Sequence, residues 1–399
     1  MITMHATSVI GEARVLAGLD QGRLDRQRHT WTHGDAPQLT RADYTKLSEA
    51  VGLRGRGGAA FPVALKLADL PAKRIEAVVV NGSESEPVSR KDRLLLTLAP
   101  HLVLDGATGL ARALGAPHLL IAVHDATAAM SLREALMERN DGLAIEVRDT
   151  PARFVAGEAR AVLSALEGGP AVPPGRRVLP TRKGYHRRPT FLSNVETFAQ
   201  LAVLARLGAK GFSSTGLISE PGTQLLTIGG AVQRPGVIET PTGVPLDTVL
   251  QFAGAEPGPV LLGGYHGRWL ARTDGLTLQR PEVSAGIILA LGTDTCPLGE
   301  VHRVTQWLSS QSAGQCGPCV FGLASLVDDF DRLVKGDPSG WHDAHRHLGL
   351  IPGRGACAHP DGSARFLASA LEVFAADVQR HFAGGCGRPV HGVLEVPGE

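Results

Sequence analysis

Apolar residues along this chain follow two rhythms, and the change between them marks its organisation. Ile75-EAVVV-Asn81, His118-LLIAVH and Leu143-AIEVRD are short β-branched runs that predict buried strands. Between them, 90–115 and 126–138 read as helices, with Leu94, Leu98, Leu102 and Leu110 on repeating faces. Strand and helix in alternation argue for a parallel sheet with covering helices. Further helices are expected over 155–166 and 193–207, separated by the Pro/Gly-rich loop Gly168-GPAVPPGRRVLP.

From Gly222 the rhythm shortens. Gln224-LLTIGGAVQRPGVIETPTGVPLDTVLQFAG has brief apolar runs split by Pro-Gly and Thr-Gly turns, which predicts a small β-rich unit. The longest apolar run, Gly286-IILALG-Thr293, fits a buried strand and is too short to cross a membrane. Beyond Val301 the pattern is helical. Val320, Leu323, Val327, Phe330 and Val334 share one expected face; Leu367, Leu371, Phe374, Val378 and Phe382 share another. Residues 1–50 are polar and read as an irregular extension. The expected order is an extension (1–50), an α/β domain (51–215), a small β-rich domain (222–300), a C-terminal helical bundle (301–385) and a tail (386–399).

Charge narrows the function. The 399 residues carry a net charge of +1 and no long basic tract, so nucleic-acid binding has no electrostatic support. The start, MITMHATSVIGEARVLAG, lacks a basic segment followed by an apolar one, so it does not read as a signal peptide. The expected location is cytoplasmic, with docking at the inner face of a membrane left open. The five cysteines, 296, 316, 319, 357 and 386, are an odd number that full pairing cannot satisfy. In such a chain, clustered cysteines point to metal or redox chemistry.

Three motifs carry that chemistry. Gly55-Arg56-Gly57-Gly58 precedes a predicted helix, and glycines let backbone N–H groups approach a phosphate, with Lys66 two turns on as a cation. An ordinary glycine loop would look the same. Asn81-Gly-Ser-Glu-Ser-Glu86 closes a predicted parallel strand, where ligands of open α/β sheets gather. Its Asn and Glu side chains suit ribose or ribityl hydroxyls, and equally a solvated turn. The third is Ser312-AGQCGPCVFG. Cys316-Gly-Pro-Cys319 spells a thioredoxin-type dithiol, but no strand precedes it and none follows. With Cys357 as a distant partner, it also fits part of an iron–sulfur ligand set. Cys386 reads as a free tail thiol that could fold back. Cys296 reads as a core residue. His342, His345, His347 and His359 read as surface groups, His359 being two residues from Cys357.

Taken in order, these motifs resemble the flavoprotein subunit of respiratory complex I and its relatives in NAD-linked hydrogenases and formate dehydrogenases. The resemblance spans residues 51–382. It is carried by Gly52-LRGRGGAAFP, Asn81-GSESEP with Lys91-Asp-Arg93, Phe154-Val-Ala-Gly-Glu158, Ser193-Asn-Val-Glu-Thr197, Arg234-Pro-Gly236 and the cysteine segment. It implies a Rossmann-like domain holding FMN, a β-grasp domain of the soluble-ligand-binding (SLBB) type, and a helical bundle with a [4Fe–4S] cluster. The implied activity is NADH dehydrogenase-type: NADH gives hydride to the flavin, and single electrons leave through the cluster to a ferredoxin-like or other redox subunit.

By matching position, Gly55, Arg56, Gly57, Gly58 and Lys66 would hold the flavin phosphate and loop. Asn81, Ser83, Glu84 and Asn194 would line the flavin. Glu86, Phe154 and Glu158 would face the nicotinamide nucleotide, with Arg176 near it. Cys316, Cys319 and Cys357 would bind the cluster. The chain departs from the family where Ala313 stands for the first cluster cysteine, Ser83 for an acid, Ala159 for a second glutamate and Phe154 for a tyrosine. Three thiolates suit a [3Fe–4S] cluster, or a [4Fe–4S] cluster with a non-cysteine ligand; Ser312 adjoins the vacant position. These departures leave a second reading open, a diverged electron-transfer or scaffold subunit that keeps FMN or a cluster without binding NADH.

Overall fold

The computed structural model describes residues 7–398 except 176, 177 and 281. Strand β1 (Thr7–Val9) opens the described chain. The first sheet is built from β2 (Ala77–Gly82), β3 (His118–Val123), β4 (Ala144–Asp149) and β5 (Thr190–Asn194), in the order β4-β3-β2-β5. All three pairings are parallel, as the alternating pattern predicts. Val78, Val79 and Val80 are fully buried because helices cover both faces of the sheet.

The chain leaves β2 outward through β3 and β4, then returns to place β5 on the other side of β2. The strand order therefore reverses between β2 and β5, and the crevice at their carboxyl ends is where such sheets take ligands. β5 does not stand out in the sequence. It has five residues and runs directly into the helix Val195–Phe212.

Two expected helices are broken. Residues 90–115 form Lys91–Leu98 and Pro100–Ala113, bent by 92°. Pro100 has no N–H to continue the first helix, yet it suits the first turn of the second. The expected 155–166 helix starts as the 3-10 turn Phe154–Gly157 and resumes as Ala159–Leu166. Glu158 separates them in extended conformation and caps the second piece. No single helix among the described residues is long and apolar enough to cross a membrane.

The second sheet contains β6 (Thr223–Gly230), β7 (Gly236–Pro241), β9 (Val260–Leu262), β10 (Arg268–Leu270) and β12 (Ile287–Ala290), joined by β1. A small pair, β8 (Val244–Pro245) and β11 (Thr277–Leu278), stands beside it. The sheet is mixed: β1 with β7 and β6 with β12 are parallel, and the other pairings antiparallel.

The expectation of an irregular N-terminal extension fails. Besides β1, residues 1–50 supply the helices Arg26–His33 and Arg41–Ala50. Val15, Leu16, Leu19, Leu24 and Tyr44 join the main core. The buried Glu239 carboxylate accepts from the Arg14, Val15 and Leu16 amides at 2.8 to 3.1 Å, which fixes the segment to β7.

The last third packs the helices Pro297–Ser310, Ala324–Val334, Ser339–Leu350, His359–Val373 and Ala375–Phe382 around a common apolar cluster. The expected stripe through Val320, Val327 and Val334 is rotated. Cys319, Leu323, Leu326, Phe330 and Leu333 are buried, while Val320 is 44% exposed. The buried set keeps ordinary helical spacing but lies one residue earlier at three positions, and its first two members fall in a π-helical turn over Pro318–Leu323. The second stripe, Leu367 to Val378, packs inward as expected.

Candidate functional site

A cavity of about 800 Å³ opens at the strand-order reversal. The 55–61 loop and the ends of β2 and β5 form one wall. Residues 154–160 form another, the 263–266 turn of the second sheet a third, and residues 357–365 a fourth. Asn81 and Asn194, direct register partners, stand on the two strand ends that frame it.

The glycine loop passes close to β5. A Cβ on Gly57 would meet Asn194 Cβ at 3.1 Å, and Gly58 adopts φ +85°. Gly57 thus lacks room beside β5 and Gly58 sits in the left-handed region, so both positions favour glycine. Arg56 lines the cavity, but its buried guanidinium faces the Glu196 and Glu220 carboxylates at 4.0 and 3.7 Å. Lys66 Nζ donates to Leu192 O at 2.8 Å and lies 5.4 Å from the Phe191 ring centre. Burial lowers its pKa to about 8. A buried cation whose named contacts are a carbonyl and a ring is suited to a phosphate.

The Asn81 to Glu86 turn is held by its own side chains. Asn81 Nδ2 donates to Gly157 O at 2.9 Å, and its Oδ1 accepts from Ser83 N at 3.1 Å. Gly157 must be glycine here, because a Cβ would stand 2.2 Å from Ser85 Oγ. Ser83 Oγ pairs with Thr150 Oγ1 at 2.7 Å. Glu84 does more than line the cavity: its two oxygens accept from Asp92 N at 3.0 Å and Arg93 N at 2.8 Å, capping the Lys91–Leu98 helix.

Beneath the turn lies a buried polar network. Lys91 Nζ contacts Asp92 Oδ1 (2.8 Å), Glu196 Oε2 (3.2 Å) and Asn194 Oδ1 (3.2 Å), and Asn194 Nδ2 donates to Asp92. Burial raises Asp92 to about 6 against the opposing pull of Lys91. Burial also works against the Lys91 charge, but Asp92 and Glu196 prevail and raise its pKa.

Glu86 is different. Its one named protein hydrogen bond comes from Tyr265 N at 3.1 Å, and burial raises its pKa to about 8. It therefore holds its proton to higher pH than an ordinary glutamate, which suits it to donate a proton or a hydrogen bond into the cavity. Phe154 packs edge-on against His266 (4.5 Å between ring centres) and Trp307 (5.1 Å). Glu158 accepts from Arg160 N and Ala161 N at the head of its helix and pairs with Arg160 Nε at 2.9 Å.

The sequence reading missed two histidines. His359, expected on the surface, is 3% exposed. Its Nε2 is 2.9 Å from Leu308 O, and its Nδ1 is 3.1 Å from Nε2 of His266. A carbonyl only accepts, so His359 Nε2 carries the proton, and Nδ1 accepts from His266 Nε2–H. Burial holds His359 at about 4 and His266 well below its ordinary value, so both rings are neutral. Nothing in their spacing or neighbours signals this pairing, which forms only when the second sheet meets the last helices.

Of the residues singled out in the sequence, Gly55 to Gly58, Lys66, Asn81, Ser83, Glu84, Glu86, Phe154, Glu158, Asn194 and Cys357 all line the cavity. Arg176 lies outside the described residues. Cys316 and Cys319 do not line the cavity; Cys319 lies in the π-helical turn and Cys316 just before it, its carbonyl accepting from the Cys319 and Val320 amides. Burial pushes the Cys319 thiol up to about 12, opposed by a hydrogen bond from Ser312; Cys316 and Cys357 add to the rise through their charge. The three thiols therefore share one locality, with Ser312 beside them. Cys386 does not join them and lies instead near Cys296.

An open parallel sheet, with a cofactor-sized hollow at its reversal point and a thiol, Cys357, in the hollow's wall, defines a nucleotide-cofactor-binding α/β protein equipped for redox work. Comparison with known proteins gives its family. Residues 48–203 match the Nuo51 FMN-binding domain, and residues 299–381 match the NADH-ubiquinone oxidoreductase-F iron-sulfur binding region. The NADH-quinone oxidoreductase F subunit of Mycobacterium tuberculosis (strain H37Rv) is 30% identical over 405 residues, covering 91% of this chain and 90% of its own. Its counterpart in Streptomyces coelicolor is 30% identical, covering 84% and 82%. NADP-reducing hydrogenase subunit HndC of Solidesulfovibrio fructosivorans is 28% identical, covering 75% and 67%. A solved NAD+-reducing [NiFe]-hydrogenase in the air-oxidized state superimposes with a TM-score of 0.82 at 23% identity, over 94% of this chain and 68% of its own. The chain belongs to the family of the NADH-quinone oxidoreductase F subunit.

Proposed function

We infer that this protein is an electron-transfer flavoprotein subunit that oxidises NADH through FMN and passes electrons on through an iron–sulfur cluster. Flavin and cluster together supply the conversion of a two-electron donor into one-electron transfers. The observation that carries the reading is the single cavity into which the glycine loop, Lys66, the Asn81–Glu86 turn and Cys357 all converge.

The chain's own groups divide the labour. Gly57 and Gly58 leave room for a phosphate, and Lys66 neutralises it. Asn81 and Asn194 frame the ring site, with the Lys91–Asp92–Glu196 network as its rigid floor. Phe154 offers an aromatic edge to the nicotinamide side, and the raised pKa of Glu86 lessens its charge repulsion toward an electron-rich cofactor. Glu158 orients Arg160, whose Nη2 donates to Ala356 O at 3.3 Å, next to Cys357. Cys316, Cys319 and Cys357 would supply three cluster thiolates, with Ser312, hydrogen-bonded to Cys319, as a candidate for a fourth corner.

In this reading FMN and NADH belong to 51–215, a β-grasp unit of the SLBB type to 222–300 and a cluster-bearing helical bundle to 301–385. The mixed second sheet with its Leu246–Ala253 helix supports the middle assignment. Phe321, 73% exposed on the π-helical turn beside Cys319, offers a docking point close to the thiols for a ferredoxin-like or other redox partner. A cytoplasmic position, peripheral to a membrane-bound assembly, accords with this.

Anaerobic purification tests the reading. Flavin and iron are counted, and NADH is then added. Bleaching of the flavin band is the expected result. Flavin that stays oxidised under excess NADH would instead mark a scaffold that keeps its cofactor but not its substrate.

A further inference from the structure

Away from the cavity, three soft donor atoms from three separate elements meet. Cys296 caps the Pro297–Ser310 helix, its sulfur accepting from Gly299 N at 3.3 Å. His381 lies in the last turn of the Ala375–Phe382 helix, and Cys386 on the tail just beyond it. Their ligand atoms all lie within 4.8 Å of one another. His381 Nε2 stands 3.4 Å from Cys296 Sγ.

The other histidine nitrogen decides what the cluster can do. His381 Nδ1 is 2.7 Å from Val334 O. The carbonyl can only accept, so Nδ1 carries the proton and Nε2 turns its lone pair toward the sulfurs. Metal-ligating histidines are oriented in this way, with the far N–H tied to a carbonyl. A tetrahedral zinc ion has Zn–S of about 2.3 Å and Zn–N of about 2.0–2.1 Å, which places neighbouring sulfur and nitrogen about 3.6 Å apart. The observed 3.4 Å needs little adjustment. Cys296 and His381 are 3% and 8% exposed, and Cys386 is half-buried, leaving one side open to a water ligand.

We propose that Cys296, His381 and Cys386 bind one zinc-type divalent cation. Binding takes both sulfurs as thiolates and releases two protons, so two negative charges meet the dication. The ion has no redox chemistry and stands apart from the electron path. Its role is to fasten the tail. Beyond Cys386 the chain returns along the Pro297–Ser310 helix: Cys296 N donates to Pro389 O at 2.7 Å. The buried Glu300 carboxylate accepts from His391, Gly392 and Leu394 amides at 2.7 to 3.3 Å. The tail then reaches Tyr265, whose hydroxyl donates to Glu395 O at 2.7 Å and whose amide holds Glu86. The cation thus anchors a strap that braces the cavity wall.

The test uses the full chain purified with its cofactors from zinc-supplemented medium. Zinc and iron are counted separately by mass spectrometry, and X-ray absorption at the zinc edge reports the ligands. The expected result is one zinc per chain with two sulfurs and one imidazole nitrogen. Cys386→Ser should lower zinc content severalfold while iron and flavin stay unchanged. Absence of zinc from the wild type, a Cys296–Cys386 disulfide in its peptide map, or full zinc retention in Cys386→Ser each overturns the proposal. The wild-type absorption spectrum decides the matter even where a variant folds badly, and none of these readouts depends on NADH oxidation.

Discussion

The Glu86 carboxylate of the first sheet's turn accepts its 3.1 Å hydrogen bond from the backbone amide of Tyr265, which belongs to the second sheet's turn. Gly264 makes this approach possible, since a Cβ there would stand 2.7 Å from the Glu86 carboxyl carbon. The two sheets thus share one acid at the edge of the cavity.

That acid predicts a pH dependence. Burial raises Glu86 from its ordinary value of 4.5 to about 8. A carboxyl group whose pKa rises on folding favours the folded state below its unfolded pKa, and that contribution is lost as pH climbs to the folded one. The cofactor-free wild type should therefore lose stability relative to Glu86→Gln between about pH 4.5 and about pH 8, then level off. The steepest slope is about 1.4 kcal/mol per pH unit. Thermal denaturation of both proteins across this range measures it, and parallel curves would reject a buried neutral acid.

Lys66 gives a prediction about affinity. Losing a charge-assisted hydrogen bond to a phosphate costs about 1.5–3 kcal/mol. Lys66→Ala should weaken FMN binding roughly tenfold to hundredfold. Equilibrium dialysis of flavin against wild type and variant checks this; equal affinity would remove Lys66 from the phosphate site.

Ala313 gives one about metal content. Ala313→Cys should raise iron and acid-labile sulfide per chain, because it adds a fourth thiol three residues before Cys316, at the position that the resemblance assigns to a cluster ligand. Unchanged iron in both proteins would mean that Ser312 or another group already closes that corner.

Asp105 tests the N-terminal segment. It is buried and accepts from His29 Nε2 and Arg139 Nη2, both at 2.8 Å, and from Arg206. Burial works against its charge, but these partners prevail and hold its pKa below the usual range. Its stabilisation is present above the unfolded carboxylate pKa and lost as pH falls through the folded one. Asp105→Ala strands buried cations and should cost about 3–5 kcal/mol, read by urea denaturation at neutral pH.

The residues that converge on the cavity were more legible in the sequence than the packing around them. Gly57, Gly58, Lys66, Asn81 and Glu86 could be read because each answers to local chemistry: close approach, a cation or a strand end. The β2–β4 alternation was plain for the same reason, since each strand carries its own apolar run. What could not be read depends on distant partners. β5 is too short to declare itself before its helix. The 1–50 segment looks irregular because its apolar residues are few, and they find their core only across the fold. The His266–His359 pair and the Cys296–His381–Cys386 group join residues about 90 apart in sequence. The 319–333 stripe was misplaced by one residue because Val320, Val327 and Val334 fit the same helical spacing as Cys319, Leu326 and Leu333, and only packing decides between them.

The pairing of Thr7 with Val237 also bears on how the molecule assembles. Strand β1 precedes its partner β7 by more than half of the 399 residues, so in synthesis order it has no edge to join until β7 is made. Val15, Leu16 and Leu19 find shelter sooner, in a core drawn mostly from residues 44–212, which leaves the β1–β7 pairing as a late, long-range closing step of assembly.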